Sequence, residues 1–383
     1  MKKMILLLVL VFCITTPLIK VADAEENSKP EISSETAILV DSKTGAILFQ
    51  KNAQNKMYPA SLTKIATAIY AIENGNLDDI VTISKEAAEV DGTSVFLEAG
   101  EEVTLKKLIQ GMLINSGNDA AAAIAEHLDR SIDKYSEHIN SYLTDRVQVK
   151  NTHFTNPHGL FNKDHYTTAE DLAIITNYAL KNKTFREIYG TKALKWTGKS
   201  WDTTLLTHHL MLKGEIPYEE VNGGKTGYVQ ESQFTLATTA ANESMELTAI
   251  VLKSNDSKEG YSDTKKLLDY GFDQFNRSLI SKTDVFHADG KTFTTGGEDI
   301  LITVPKSLFE KRMTNEGKLE YIDEKGEVVQ TVQLAEKKKT DNFSHQVIEK
   351  EELKTSTGNY GKFTMVIFLL GGLIIGVRWK IQQ

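Results

Sequence analysis

Three short strings on this chain pair a nucleophile with the groups it would need: Ser61-Leu-Thr-Lys64, Ser116-Gly-Asn118 and Lys225-Thr-Gly227. A serine hydroxyl is a weak nucleophile until a neighbouring base takes its proton. At a helix start, residues i and i+3 share a face, so Lys64 can accept the proton of Ser61. First-turn N–H groups and the helix dipole favour oxyanion charge nearby. In the second string Ser116 can relay that proton toward a leaving amine, and Asn118 can hold an amide carbonyl. In the third, the Lys225 charge and the Thr226 hydroxyl suit a substrate carboxylate, while Gly227 lets a substrate run close to the backbone. Taken together these parts describe acyl transfer on an active-site serine.

Each string is ambiguous alone, and position separates the copies. Ser131-Ile-Asp-Lys134 and Ser262-Asp-Thr-Lys265 also match Ser-x-x-Lys, but both sit among charged residues on solvent faces. Lys43-Thr-Gly45 repeats the third string ahead of the nucleophile, in a turn, and reads as structural. Ser-x-Asn at 116–118 has a bland use as a helix-to-helix turn, and Lys-Thr-Gly at 225–227 as a strand edge with a glycine bulge. For Lys64 to act as a base it must be neutral; lowering a lysine from about 10.4 to about 7.5 costs roughly 4 kcal/mol. Burial against Ile65 and repulsion from Lys225 are the available means.

The elements that must position these groups follow from periodicity. Thr36–Asp41 and Ala46–Lys51 are apolar runs around a Gly-containing turn, a β-hairpin. After Pro59, Ser61–Asn74 carries Ile65, Ile69 and Ile72 at helical spacing, with Ser61 in the first turn and Gly75 at the left-handed position past the end. Thr104 is expected to cap a helix to about Ile114, and Asp119 an alanine-rich one to about Leu128, with Ser116–Asn118 in the turn between them. A loop at Asn156-Pro-His-Gly159 leads to a helix near Ala169–Leu180, entered through a capping box of Thr167 and Glu170. Lys225 falls on or beside the first strand of an antiparallel set that includes Phe234–Thr239 and Leu247–Leu252, and Tyr261–Phe275 is helical. The body is therefore α+β, helices covering a mainly antiparallel sheet. Beyond it, short apolar runs split by Gly and charged pairs predict a small β-rich domain.

The ends read as addresses. Lys2 and Lys3, an apolar run to about Ile14 and Ala22-Asp-Ala24 form a secretory signal peptide over 1–24. Cys13, the single cysteine, lies inside it, so the mature chain carries no disulfide, thiol or cysteine-ligated metal. Phe363–Val377 is uncharged and followed by Arg378 and Lys380; its roughly 15 residues span about 22 Å, short of a usual crossing. Thinning of the bilayer, snorkelling of Lys362 and Arg378, and interfacial Tyr360 and Trp379 close the gap. The favoured reading is a single span with the C-terminus cytoplasmic and the body outside, the alternative a segment lying in the interface. The expected layout is signal peptide 1–24, arm 25–34, catalytic domain 35–278, β-rich domain 279–340, stalk 341–361 and membrane anchor 362–380. The net charge of -8 becomes -10 once Lys2, Lys3, Lys20 and Asp23 leave with the signal, and so acidic a body does not bind nucleic acid. His153, His158, His165, His208 and His209 show no metal-ligand spacing, so neither metal nor cofactor is expected, although His158 could line the cleft.

With the strings YPASLTKIATA, LINSGNDAA, NPHGL and GGKTGY, the chain from about Glu35 to Phe275 resembles the serine D-alanyl-D-alanine carboxypeptidases, the low-molecular-mass penicillin-binding proteins. The resemblance implies a β-lactamase/transpeptidase-like domain, a β-rich second domain and a C-terminal anchor. It implies Ser61 as acylated nucleophile, Lys64 as base, Ser116 as relay, Asn118 on the substrate amide, Lys225 and Thr226 on the substrate carboxylate with Gly227 beside it, and the N–H groups of Ser61 and Tyr228 as oxyanion hole. The substrate would be a peptidoglycan stem pentapeptide, and β-lactams would acylate Ser61. Some relatives place an arginine on a following strand; by sequence alignment that position holds Glu246. A β-lactamase is the rival, but its Glu-x-x-x-Asn pattern is absent between Asn118 and Lys225. A membrane-tethered β-lactam sensor without turnover is the other, and only about six residues follow the span.

Overall fold

Thr36–Asp41 (β1) is buried along its whole length, and its alternate side chains enter two different cores. Ile38 and Val40 point into one, Ala37 and Leu39 into the other, because successive Cβ atoms leave opposite faces of a strand. A strand covered on both faces reads as a continuous apolar run, which is why TAILVD shows no alternation. The structure is a computed structural model and describes residues 29–337. The expected signal peptide, stalk and membrane anchor lie outside the described residues, and among these no helix is long and apolar enough to cross a membrane.

In chain order the elements of the body are β1, β2 (Ile47–Lys51), α1 (Thr63–Asn74), β3 (Ile80–Thr82), α2 (Lys85–Ala88), β4 (Glu102–Thr104), α3 (Leu105–Ile114), α4 (Asn118–Asp129), α5 (Ile132–Tyr142), α6 (Ala169–Ala179), α7 (Lys183–Tyr189), β5 (Ala193–Thr197), β6 (Asp202–Leu206), α8 (Leu210–Lys213), β7 (Val221–Val229), β8 (Gln233–Ala241), β9 (Glu246–Ser254) and α9 (Ser257–Gln274). Five strands form one antiparallel sheet in the order β2-β1-β9-β8-β7. Register carries one row across it: Gln50, Ile38, Ile250, Ala237 and Lys225. Lys225 thereby sits on an edge strand. One core holds α1 and α3 to α7 with Ile38, Ala237 and Ile250; the other holds α9 with Leu39, Leu236, Ala249 and Val251. Each of the larger fully buried side chains contributes about 1.5–3 kcal/mol.

Beyond α9 come β10 (Phe275–Ile280), β11 (Phe286–Ala288), β12 (Lys291–Thr294), β13 (Ile300–Pro305), β14 (Phe309–Met313), β15 (Lys318–Asp323), β16 (Val328–Gln333) and β17 (Ala335–Glu336), in small sheets around a core of Ile280, Phe293, Ile302, Leu319 and Tyr321. β10 straddles the expected boundary at 278 and pairs along its full length with β13. The second Lys-Thr-Gly turn, with Gly45 at φ 73°, meets this region: Thr44 Oγ1 lies 2.7 Å from Thr303 Oγ1. Beside it Arg277 grips the fully buried Asp41 in a bidentate pair at 2.6 and 2.8 Å, and Thr303 Oγ1 donates to the same carboxylate at 2.9 Å.

Several local expectations are corrected. Ala60–Leu62 is a 3-10 turn ahead of α1, so Ser61 precedes the α-helix. Gly75 is extended (φ -113°) and is required by space, since a Cβ there would lie 2.4 Å from Leu105 Cδ2. Helix α4 begins at Asn118, not at a capping Asp119. Thr168 caps α6 by accepting from Asp171 N at 3.0 Å. Thr167 cannot cap because its backbone is paired with Met57. Ser131 is the N-cap of α5, which explains one surplus Ser-x-x-Lys.

Candidate active site

Pro59 and the 3-10 turn 60–62 bring the first string into place. With three residues per turn, i and i+3 eclipse, so the fully buried Lys64 stands over Ser61 with Nζ 2.9 Å from its Oγ. The turn is strained: Ala60 has φ 47°, in the left-handed region a non-glycine residue seldom enters. It is held there from two sides. Gly159 (φ 87°) presses its backbone against Ala60 so closely that a Cβ would fall 1.9 Å from the Ala60 carbonyl oxygen, and Thr235 Oγ1 donates to Pro59 O at 3.1 Å. The fully buried Thr63 hydroxyl donates to Ala60 O at 2.9 Å, and His165 Nε2 lies 2.8 Å from Thr63 Oγ1.

The second string lies between α3 and α4. Ser116 is also left-handed (φ 64°), which aims its hydroxyl at β7. Asn118 is locked by the preceding loop, its N–H on Thr93 O at 2.7 Å and its Nδ2 on Asp91 O at 2.6 Å. That fixes Oδ1 toward Lys64, 2.7 Å from Nζ, while the carbonyl of His158 lies 2.7 Å from Nζ on another side. Both of these partners can only accept. A neutral amine has two hydrogens for them and one lone pair left for Ser61, whose hydroxyl can donate.

The third string supplies the opposite wall. Lys225 reaches from the edge strand and donates to Ser116 Oγ at 2.9 Å and to Thr226 O at 2.8 Å. Gly227 passes so near the turn that a Cβ would lie 2.8 Å from Ser61 N and 2.5 Å from Thr235 Oγ1. Thr226 is half-buried and Tyr228 is 67% exposed, both on the opposite side of the strand from Lys225 and Gly227. Gly224 leaves room for the buried His209 ring, whose Nε2 is 2.8 Å from Thr238 Oγ1.

Electrostatics follow burial. Lys64 is held well below the ordinary lysine range by burial first and by Lys225 second, against an opposing pull from Asp119. Burial lowers Lys225 to about 7. His158, His165 and His209 are each pushed down to about 3, chiefly by burial. Among the described residues no group of acidic, histidine or cysteine side chains is arranged to hold a metal ion.

Ser61, Lys64, Ser116, Asn118, Lys225 and Gly227 are thus brought together. Glu246 is not among them. Tyr228, Phe234 and Ser254 share one row of the sheet, whereas Glu246 pairs with Ala241 at the other end of β8, so it faces Lys43 at 3.8 Å and lies away from the site. His158 contributes its carbonyl, and its ring Nδ1 instead accepts from Leu160 N at 3.2 Å. Sequence reading missed Gly159, Asp119 and His165; the intact string NPHGL was the one visible signal for the first.

Comparison with known proteins matches residues 23–256 to the family Peptidase_S11, D-alanyl-D-alanine carboxypeptidase. The D-alanyl-D-alanine carboxypeptidase DacF of Bacillus subtilis is 31% identical over 342 residues, covering 87% of this chain and 83% of that protein. DacA of Haemophilus influenzae, of the same description, is 32% identical over 306 residues, 72% of this chain and 73% of its own. Among solved structures, penicillin binding protein 5 from Haemophilus influenzae superposes with a TM-score of 0.68 at 28% identity, covering 81% of this chain and 98% of that one.

Proposed function

The chain belongs to the D-alanyl-D-alanine carboxypeptidase family of serine peptidases, and from that premise we propose how its residues divide the reaction. The enzyme removes the terminal D-Ala from peptidoglycan stem pentapeptides through an acyl-enzyme, and it is a β-lactam-binding protein of the α+β transpeptidase-like fold. Ser61 is the nucleophile. Its Oγ attacks the penultimate D-Ala carbonyl as Lys64 Nζ takes its proton, and the oxyanion is met by the N–H groups of Ser61 and Tyr228. Lys225 and Thr226 hold the substrate carboxylate, and Asn118, with one Nδ2 hydrogen still unengaged, holds the substrate amide. Collapse expels D-Ala, whose amine receives a proton through Ser116, and water then hydrolyses the ester on Ser61.

The observation that carries this reading is the bonding of Lys64: two acceptor-only partners at 2.7 Å and the Ser61 hydroxyl at 2.9 Å leave its lone pair for Ser61. No carboxylate among the described residues hydrogen-bonds Ser61 or Lys64, which favours carboxypeptidase over the deacylating machinery of a β-lactamase. We extend the proposal to export through residues 1–24 and to a membrane anchor at 362–380 that keeps the site extracytoplasmic. The test is labelling with a fluorescent penicillin together with D-Ala release from a pentapeptide. Both are expected in the wild type and neither in Ser61→Ala. Labelling that survives in Ser61→Ala sinks the nucleophile assignment, and labelling without D-Ala release turns the reading to a sensor.

A further inference from the structure

Asp119 is fully buried beside this site, and its hydrogen bonds among the described residues go to neutral donors only. Its carboxylate is saturated by neutral donors: Ser94 Oγ at 2.6 Å, the N–H of Val95 at 3.1 Å to both oxygens, the N–H of Leu97 at 3.1 Å and its own helix through Ala120 N at 2.8 Å. Donors at residues 95 and 97 converge on one carboxylate, so the residue between them is turned out. Phe96 accordingly takes φ 59° and is 57% exposed, edge-on to Trp201 at 4.9 Å. The same loop carries Thr93 O and Asp91 O, which lock Asn118.

The other ionisable groups facing this region are Lys64 on α1, Lys225 on β7, His158 and His165 of the 153–166 segment, His208 and His209 ahead of α8, all four histidines pushed down chiefly by burial, and Asp91, Glu98 and Glu101 on the loop running into β4. Asp91 is exposed, Glu98 pairs with Lys199 at 3.3 Å, and Glu101 accepts from Glu98 N and Lys199 N, so none of these three reaches the lysines. Asp119 is the acidic side chain that acts on Lys64.

We infer that Asp119 is a positioning residue for the reaction, the buried counter-charge for Lys64 and the clip that fixes the 91–97 loop over Asn118. This rests on the reading of Lys64 as the base. Removing the charge leaves Lys64 easier to deprotonate and also a weaker base, so the two consequences have opposite signs across the pH range. A purely structural role would lower the rate by one factor at every pH.

The experiment is acylation of the purified full-length protein by a fluorescent penicillin at about pH 6 and about pH 8. Asp119→Asn is expected to lower the rate at the higher pH about tenfold while raising the ratio of the lower-pH to the higher-pH rate about threefold. Asp119→Glu, which keeps the charge, is expected to restore the wild-type ratio even where the absolute rate stays low. An unchanged ratio in Asp119→Asn overturns the proposal. Should that variant not fold, the carboxyl carbon of Asp119 in selectively 13C-labelled wild-type protein decides: ionised throughout the range in which acylation turns on supports it, and protonation within that range overturns it. Failure of the base assignment looks different, because wild-type acylation would then show no acidic limb and would persist in Lys64→Ala, and both readings fall together.

Discussion

A single methyl group at residue 227 should disable the enzyme while leaving it folded. The Cβ of Gly227→Ala would stand 2.8 Å from Ser61 N, 2.5 Å from Thr235 Oγ1 and 3.1 Å from Ala60 Cβ, where ordinary contact begins at 3.4 Å. Thr235 is anchored to Pro59 O, and Ala60 is trapped against Gly159, so neither neighbour yields by a side-chain rotation. The strain is relieved by separating β7 from the 60–62 turn by about half an ångström or more, and overpacking of this kind costs about 1–3 kcal/mol. The same displacement opens the oxyanion pocket and covers Ser61 N. Losing one such donor costs about 100- to 1,000-fold in rate, and a 1 Å misplacement about 100-fold. Acylation by a fluorescent penicillin should therefore fall at least about 100-fold, while the melting temperature drops by only a few degrees. Thr235→Ala in the Gly227→Ala background removes one clash and leaves the one with Ser61 N, so stability should partly return and activity should not. Wild-type acylation in Gly227→Ala would refute the close-approach argument.

Three further outcomes follow from the charges. Because burial lowers Lys225 to about 7, its positive charge in the free enzyme fades as pH rises through that value, so kcat/KM for the pentapeptide should decline on the alkaline side. A bound carboxylate restores the charge, and kcat should decline at higher pH or not at all. His165 and His209 titrate near 3 when folded and near 6.5 when unfolded; the unfolded chain binds more protons between these values, so stability is complete above about 6.5 and is lost as pH falls toward 3. Urea midpoints should track a slope of up to about 1.4 kcal/mol per pH unit per histidine, flatter in His209→Gln. Arg277→Met strands the fully buried Asp41 and should cost about 3–5 kcal/mol in urea unfolding, whereas Arg277→Met with Asp41→Asn should recover most of it.

What the sequence disclosed was local periodicity and residue chemistry; what it concealed was fixed by distant chain. The β1–β2 hairpin, the three strands 221–254 and the α9 pattern were legible because apolar spacing encodes them directly. Ser61 looked helical because its own neighbours favour a helix, and the 3-10 turn arises from Gly159, nearly a hundred residues on, pressing against Ala60. Thr167 looked like a cap until the bridge to Met57 claimed its backbone. Glu246 looked like a site residue because strand register, which a β-bulge between Phe234 and Leu236 shifts, cannot be counted along the chain. Asn118 was chosen for its amide, yet the groups that fix it, Thr93 O on its backbone N–H and Asp91 O on its side-chain Nδ2, are carbonyls that every residue carries and no pattern can flag.

The knot of Asp41, Arg277, Thr303 and Thr44 bears on how this architecture can be recombined. The first strand of the catalytic sheet ends in a carboxylate whose side-chain partners, Arg277 and Thr303, both come from beyond residue 274, so the physical seam between the two parts runs through an ion pair and not through a linker. A domain exchange cut at the end of α9 would leave an acceptor chain with a charge sealed in its core. A body given a different second domain would therefore need a neutral residue at 41 or a new cation to meet it, which ties the identity of that turn, far from the chemistry, to the domain that follows.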